Sequence, residues 1–94
     1  MTISATARLS ASPDALINVV EHESVLLDLK SERYFGLNES GTRMGSALME
    51  AGTIDGACEA LSEEYDVEPE QLRKDLETLV DKLLERGLVR IDAA

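Results

Sequence analysis

The stretch VLLDLKSERYFGLN, from Val25 to Asn38, constrains the fold more than any other. Two short apolar runs, Val25 to Leu29 and Tyr34 to Leu37, flank the polar break Lys30-Ser31-Glu32-Arg33. That arrangement signals a β-hairpin, and Asn38 then supplies a helix start. Upstream, Leu16 to Val20 (LINVV) is apolar and rich in β-branched residues, and His22-Glu23-Ser24 supplies a turn. A first strand should therefore pair with the second. Everything downstream of Asn38 reads as helix, so the expected fold class is α+β: a three-stranded antiparallel N-terminal sheet followed by three helices.

Side-chain alternation assigns faces within this sheet. Val25, Leu27 and Leu29 share one side while Leu26, Asp28 and Lys30 share the other, as in a sheet covered on one side only. Phe35 and Leu37 are expected under the helices, with Tyr34 pointing away. A three-stranded meander has two edges, and the outer backbone groups of its last strand are expected to lack partners. The lead-in, residues 1–14, is small and polar and is expected to stay loose unless Arg8 and Leu9 add a short strand. The domain proper should span residues 15–92.

In the first helix Met44, Ala47, Leu48 and Met49 precede Gly52, which stops it. Gly41 and Gly45 lie four apart on that helix, where each costs roughly 1 kcal/mol relative to alanine, and their expected use is close approach to the sheet. Thr53 caps the second helix, whose apolar positions Ile54, Ala57, Cys58, Leu61 and Tyr65 follow a 3.6-residue period. The third is the best specified: Pro69 suits the first helical position, Glu68 precedes it as cap, and Gly87 ends it. Leu72, Leu76, Leu79 and Leu83 form its core stripe. Beside them runs a second line, Arg73, Glu77, Val80 and Leu84, whose apolar members either broaden a core face or line a groove.

Chemistry is conspicuous by what is missing. One histidine, one cysteine and no nucleophile-elbow, zinc or P-loop pattern leave no basis for an enzyme, a metal site or a cofactor. His22 reads as a solvated turn residue and Cys58 as a small buried thiol. Nineteen acidic residues against nine basic ones give a net charge of −10, which repels nucleic acid and anionic membranes. The start MTISATARLSASPD lacks a signal-peptide pattern, and no apolar run approaches about 18 residues, so a cytoplasmic location is expected.

Helices two and three could form a winged helix-turn-helix that reads DNA. The third helix, however, sets Arg73, Lys74, Lys82 and Arg86 against Glu70, Asp75, Glu77, Asp81 and Glu85, without the net positive charge that phosphate contacts demand. An acyl carrier would need an Asp-Ser-Leu type attachment serine, which Ser40 in Asn-Glu-Ser-Gly does not match. The remaining reading is peptide capture: an extended segment adds a strand outside Glu32 to Gly36 and rests its side chains against Val80 and Leu84.

Several stretches carry a family resemblance. Leu26-Leu27-Asp28-Leu29, Arg33-Tyr34-Phe35-Gly36-Leu37-Asn38, Glu64-Tyr65-Asp66-Val67 and Glu85-Arg86-Gly87-Leu88-Val89 together resemble the PqqD family, also called the RiPP precursor peptide recognition element. The likeness runs from about Leu16 to Ile91, and Tyr-Phe-Gly-Leu-Asn is its most specific part. It implies a winged helix-turn-helix-like, non-catalytic protein that binds the leader of a ribosomally made precursor peptide between strand 3 and helix 3. Carried over, the strand segment is Glu32, Arg33, Tyr34, Phe35 and Gly36, and the helix wall is Arg73, Glu77, Val80, Asp81 and Leu84.

Pyrroloquinoline quinone pathway members often end in Arg-Gly-Trp-Ile, where this chain has Arg86-Gly87-Leu88-Val89. The sequence looks more like the stand-alone leader-binding proteins of lasso peptide biosynthesis, which work with a separate leader peptidase on leaders carrying Tyr-x-x-Pro. The alternative implied is a peptide chaperone for a radical SAM enzyme. The expected partners are thus a precursor peptide and a modifying enzyme, with no nucleic acid or membrane, and the open edge also leaves room for a homodimer.

Overall fold

The computed structural model describes residues 7–92. Its elements run β1 (Leu9–Ala11), β2 (Ala15–Val20), β3 (Glu23–Asp28), β4 (Arg33–Leu37), α1 (Glu39–Ala51), α2 (Ile54–Glu64), α3 (Pro69–Glu85) and β5 (Val89–Ile91). The α+β class expected from the sequence is the one observed. β2, β3 and β4 form the antiparallel meander in that order.

The meander's first turn is tighter than the sequence suggests. Glu23 and Ser24 belong to β3, so the reversal is left to Glu21 and His22 alone, with Glu21 at φ 59°. At the second turn Asp28 acts as a local staple: its carboxylate accepts from the Lys30 N–H at 3.1 Å and the Ser31 hydroxyl at 2.8 Å. These bonds hold the Asp28 carboxyl below its ordinary pKa, the Ser31 hydroxyl being the larger cause.

Arg8 and Leu9 were candidates for adding a strand to the meander. The strand that forms, β1, pairs instead with β5 in a separate two-stranded ribbon, Leu9 opposite Ile91 and Ala11 opposite Val89. Of the lead-in expected over residues 1–14, the first six lie outside the described residues.

Helix boundaries follow their capping chemistry. The Asn38 side chain accepts from the Gly41 N–H, and that of Thr53 from Gly56. Gly52 ends α1 in the left-handed region at φ 77°, with its N–H bonded to the Leu48 carbonyl. Glu68 precedes α3 without a side-chain cap bond, so Pro69 carries that start.

The core joins the helices to the sheet's inner face. Leu48, Ile54, Ala57, Leu61, Leu76 and Val80 are fully enclosed, with Leu26, Leu83 and Leu88 nearly so. The covered face of β3 is that of Ser24, Leu26 and Asp28, whereas Val25 and Leu29 are exposed. The more apolar face of β3 is therefore not the one the helices cover. Ser24 explains how a polar residue sits inside: its hydroxyl pairs with that of Thr42 in α1 at 2.8 Å. Phe35 and Leu37, opposite Leu26 and Ser24, pack on the core as the sequence implies. Of the two α1 glycines only Gly41 is tightly placed, since a Cβ there would come within 3.1 Å of Leu37, while Gly45 has ordinary clearance.

Candidate functional site

The site starts from the backbone of β4. The Leu29 N–H donates to the Asp14 carbonyl at 2.8 Å, one rung beyond the β2–β3 ladder. Rungs alternate in antiparallel pairs, so Asp14, Leu16, Asn18 and Val20 bond toward β3, and Ser24, Leu26 and Asp28 bond toward β4. Their partners Leu37, Phe35 and Arg33 then face β3. The N–H and C=O groups of Tyr34 and Gly36 point away from the sheet, toward an edge that no strand occupies among the described residues.

Beside this edge lies a cleft of about 340 Å³, lined by Asp28, Ser31, Arg33, Tyr34 and Phe35 on the hairpin side and Glu85, Arg86 and Leu88 on the other. Arg86 spans it to Phe35, with the guanidinium carbon 4.8 Å from the centre of the Phe35 ring, a cation–π contact. The cleft carries both signs of charge, from Asp28 and Glu85 and from Arg33 and Arg86.

The residues nominated from the sequence are distributed unevenly around it. Arg33, Tyr34 and Phe35 line the cleft, Glu32 sits in the preceding turn at φ 58°, and Gly36 lies on the open edge with no heavy atom within 4 Å of a Cβ placed there. Tyr34 is 70% exposed on the sheet's outer face. On α3, Glu77, Asp81 and Leu84 are half-buried, Leu84 against the core. Arg73 reaches α2 instead, its Nη2 lying 3.0 Å from Asp55 Oδ1 in a charge contact without hydrogen-bond alignment.

Val80 departs from expectation. It is 0% exposed and belongs to the core with Leu76, Leu79 and Leu83, so it offers no surface to a groove. The helix side of the cleft falls further along, at Glu85, Arg86 and Leu88, which the sequence did not nominate. The available signal was Arg86, a cation at the end of α3 that the fold returns to the chain's only phenylalanine.

The match to the family model of coenzyme PQQ synthesis protein D (PqqD) covers residues 23–89, from β3 to β5. Among solved structures, the chain is similar to TbiB1 in complex with the TbiA(beta) leader peptide, at 28% identity and a TM-score of 0.82, over 90% of this chain and 99% of that one. It is also similar to a lasso peptide synthetase B1 complexed with the leader peptide, at 26% identity and a TM-score of 0.79, over 89% of this chain and 99% of that one. Among curated proteins there is no match. With the family model spanning most of the chain, including the open strand and the whole of α3, the chain belongs to the PqqD family.

Proposed function

We propose that this protein is a non-catalytic leader-binding component of lasso peptide biosynthesis. It captures the leader of a ribosomally made precursor peptide as an added strand along β4 and presents the rest to a modifying enzyme, a leader peptidase. The observation that carries the reading is the backbone of Tyr34 and Gly36, unpaired among the described residues, beside the β4–α3 cleft, in a chain similar to two solved structures that are complexes with leader peptides. Main-chain hydrogen bonds to Tyr34 and Gly36 supply affinity without sequence, and the cleft selects side chains. Arg33, Phe35, Glu85 and Arg86 face the incoming strand, with Glu77, Asp81 and Leu84 continuing the wall along α3. Val80 supports that wall from behind.

A second reading, delivery of a peptide to a radical SAM enzyme, draws on the family model, which is that of a pyrroloquinoline quinone pathway protein. A gene neighbourhood with a radical SAM enzyme in place of a peptidase would favour it.

The test separates backbone from side chain. Tyr34→Pro removes the outward N–H at an edge position where proline is tolerated, while Tyr34→Ala keeps it. Using the fluorescein-labelled leader of the precursor encoded nearest to this chain, anisotropy should show a loss of affinity of about tenfold or more for Tyr34→Pro, about the scale of one lost interfacial hydrogen bond. Tyr34→Ala should lose clearly less. Equal affinity of Tyr34→Pro and the parent protein, with both folded by circular dichroism, rejects strand addition at β4.

A further inference from the structure

The meander has a second open margin that leader capture leaves unused. β2 pairs with β3 on one side only, and among the described residues nothing pairs with the other. Leu16, Ile17, Val19 and Val20 are each between 51 and 61% exposed. Leu16 and Val20 lie on the outer face, and Ile17 and Val19, opposite Leu26 and Ser24, on the inner one. The strand is thus apolar on both faces and carries no lysine, proline or bulge, the usual protection of a solvated edge. Ile17 and Val19 also rim a separate apolar cleft of about 310 Å³ that runs beneath the sheet to Met49, Leu83 and Leu88.

We propose that β2 is a self-association surface: two copies pair their β2 strands antiparallel about a two-fold axis through Asn18, joining two three-stranded meanders into one continuous sheet.

The backbone permits this register. Asp14, Leu16, Asn18 and Val20 bond toward β3, so the N–H and C=O groups of Ile17 and Val19 face outward, while the Ala15 N–H is taken by the Ser12 carbonyl at 3.1 Å. An axis through Asn18 sets Ile17 of one copy opposite Val19 of the other, and both carry free groups. A register shifted by one residue would set free groups against groups already bonded.

The side chains favour a second copy over an unrelated chain. LINVV is symmetric in hydropathy about its centre, as a two-fold interface requires. Leu16 meets Val20 and Ile17 meets Val19, and at the centre two exposed Asn18 amides each offer a donor and an acceptor to the other. Each copy contributes four half-exposed aliphatic side chains and a cleft rim, so total burial is on the order of 1,000 Å², near the lower bound for a specific interface. The pair is therefore weak and reversible, in the micromolar range or above.

Charge sets the conditions. Glu21 and Glu23 flank the strand, Glu50 lines the neighbouring cleft, and each copy carries a net charge of −10. Copies repel at low ionic strength, so salt should tighten the pair. A foreign partner held there by ion pairs would respond in the opposite sense.

Two measurements on the full chain test the proposal. In sedimentation velocity the parent protein should move from monomer to dimer between about 5 and 500 µM, and raising NaCl from about 50 to 500 mM should tighten association at least about threefold. Val19→Lys, at an exposed position that leaves the fold intact, should weaken association at least about tenfold. Cysteine pairing reads the register. Asn18→Cys places two Cα atoms about 4.5 Å apart on the axis, within disulfide reach, and mild oxidation should give a covalent dimer. Val20→Cys puts the two thiols about four residues out of register, roughly 13 Å apart, and should stay monomeric. Cys58 is buried and does not compete. A monomer at about 500 µM in high salt, association that salt weakens, no effect of Val19→Lys, or equal crosslinking of the two cysteine variants would each overturn the proposal.

Discussion

Val80 shows how a single side chain can belong to a different surface from the one its helical position suggests. It continues a line with Arg73, Glu77 and Leu84, yet it is enclosed with Leu76, Leu79 and Leu83. Val80→Asp should therefore abolish cooperative thermal unfolding in circular dichroism, because an unpaired carboxylate in the core costs more than a domain of this size can offset. The sequence could not separate the two outcomes, since a widened apolar stripe looks the same whether it packs on two neighbours or lines a groove. Arg43 and Glu64 are a different kind of residue pair, at the surface. Both Glu64 oxygens accept from Arg43, at 2.7 and 2.8 Å, and this pairing holds the Glu64 carboxyl below its ordinary value of 4.5. A lowered carboxyl pKa contributes stability above the unfolded value and loses it as pH falls through the folded one. The melting temperature of Glu64→Gln should accordingly lie slightly below that of the parent at pH 7, and the gap should close as pH falls below the ordinary value of 4.5 and through the lowered folded one.

At the scale of elements, caps and turns were legible because each is fixed by one residue's chemistry. Asn38, Gly52, Thr53, Pro69 and Gly87 all stand where their side chains or their freedom at positive φ place them. Less was legible wherever two elements meet. Alternation in β3 gives two faces, but the helices cover the side of Leu26, where Phe35 and Leu37 join the core and Ser24 finds Thr42, and no local pattern reveals those partners. The β1–β5 ribbon joins residues 82 apart or nearly so, as in the Ser10–Asp92 hydrogen bond. Likewise the strand half of the candidate site was readable from the hairpin, whereas its helix half required knowing where the end of α3 returns to Phe35. Gly56 makes the same point as a prediction. Glycine to alanine inside a helix ordinarily gains about 1 kcal/mol, but here the new Cβ would lie 2.8 Å from that of Ala51 and 3.1 Å from Thr53 Oγ1. Gly56→Ala should lower stability by roughly 1–3 kcal/mol in urea titration, through overpacking where α1 meets α2.

Over the whole molecule, the five strands and three helices described make a slab of 36 × 34 × 20 Å, with β2 and β4 as opposite margins of the three-stranded sheet. The net charge of −10 acts on both. A leader with basic residues should associate with β4 more weakly at about 500 mM NaCl than at 50 mM, because screening removes the attraction. Self-pairing at β2 should respond with the opposite slope, so a salt series followed by anisotropy and by sedimentation distinguishes the two margins in one preparation. The ribbon of β1 and β5 has a mechanical corollary. Leu9 and Ile91 form its outermost pair, and the Asp92 N–H bonds the Arg8 carbonyl just beyond. Tension drawn through both ends of the chain would load these bonds one after another, like a zip, and not all together. A machine tugging on the termini would meet little resistance at first, however well the helices withstand heat.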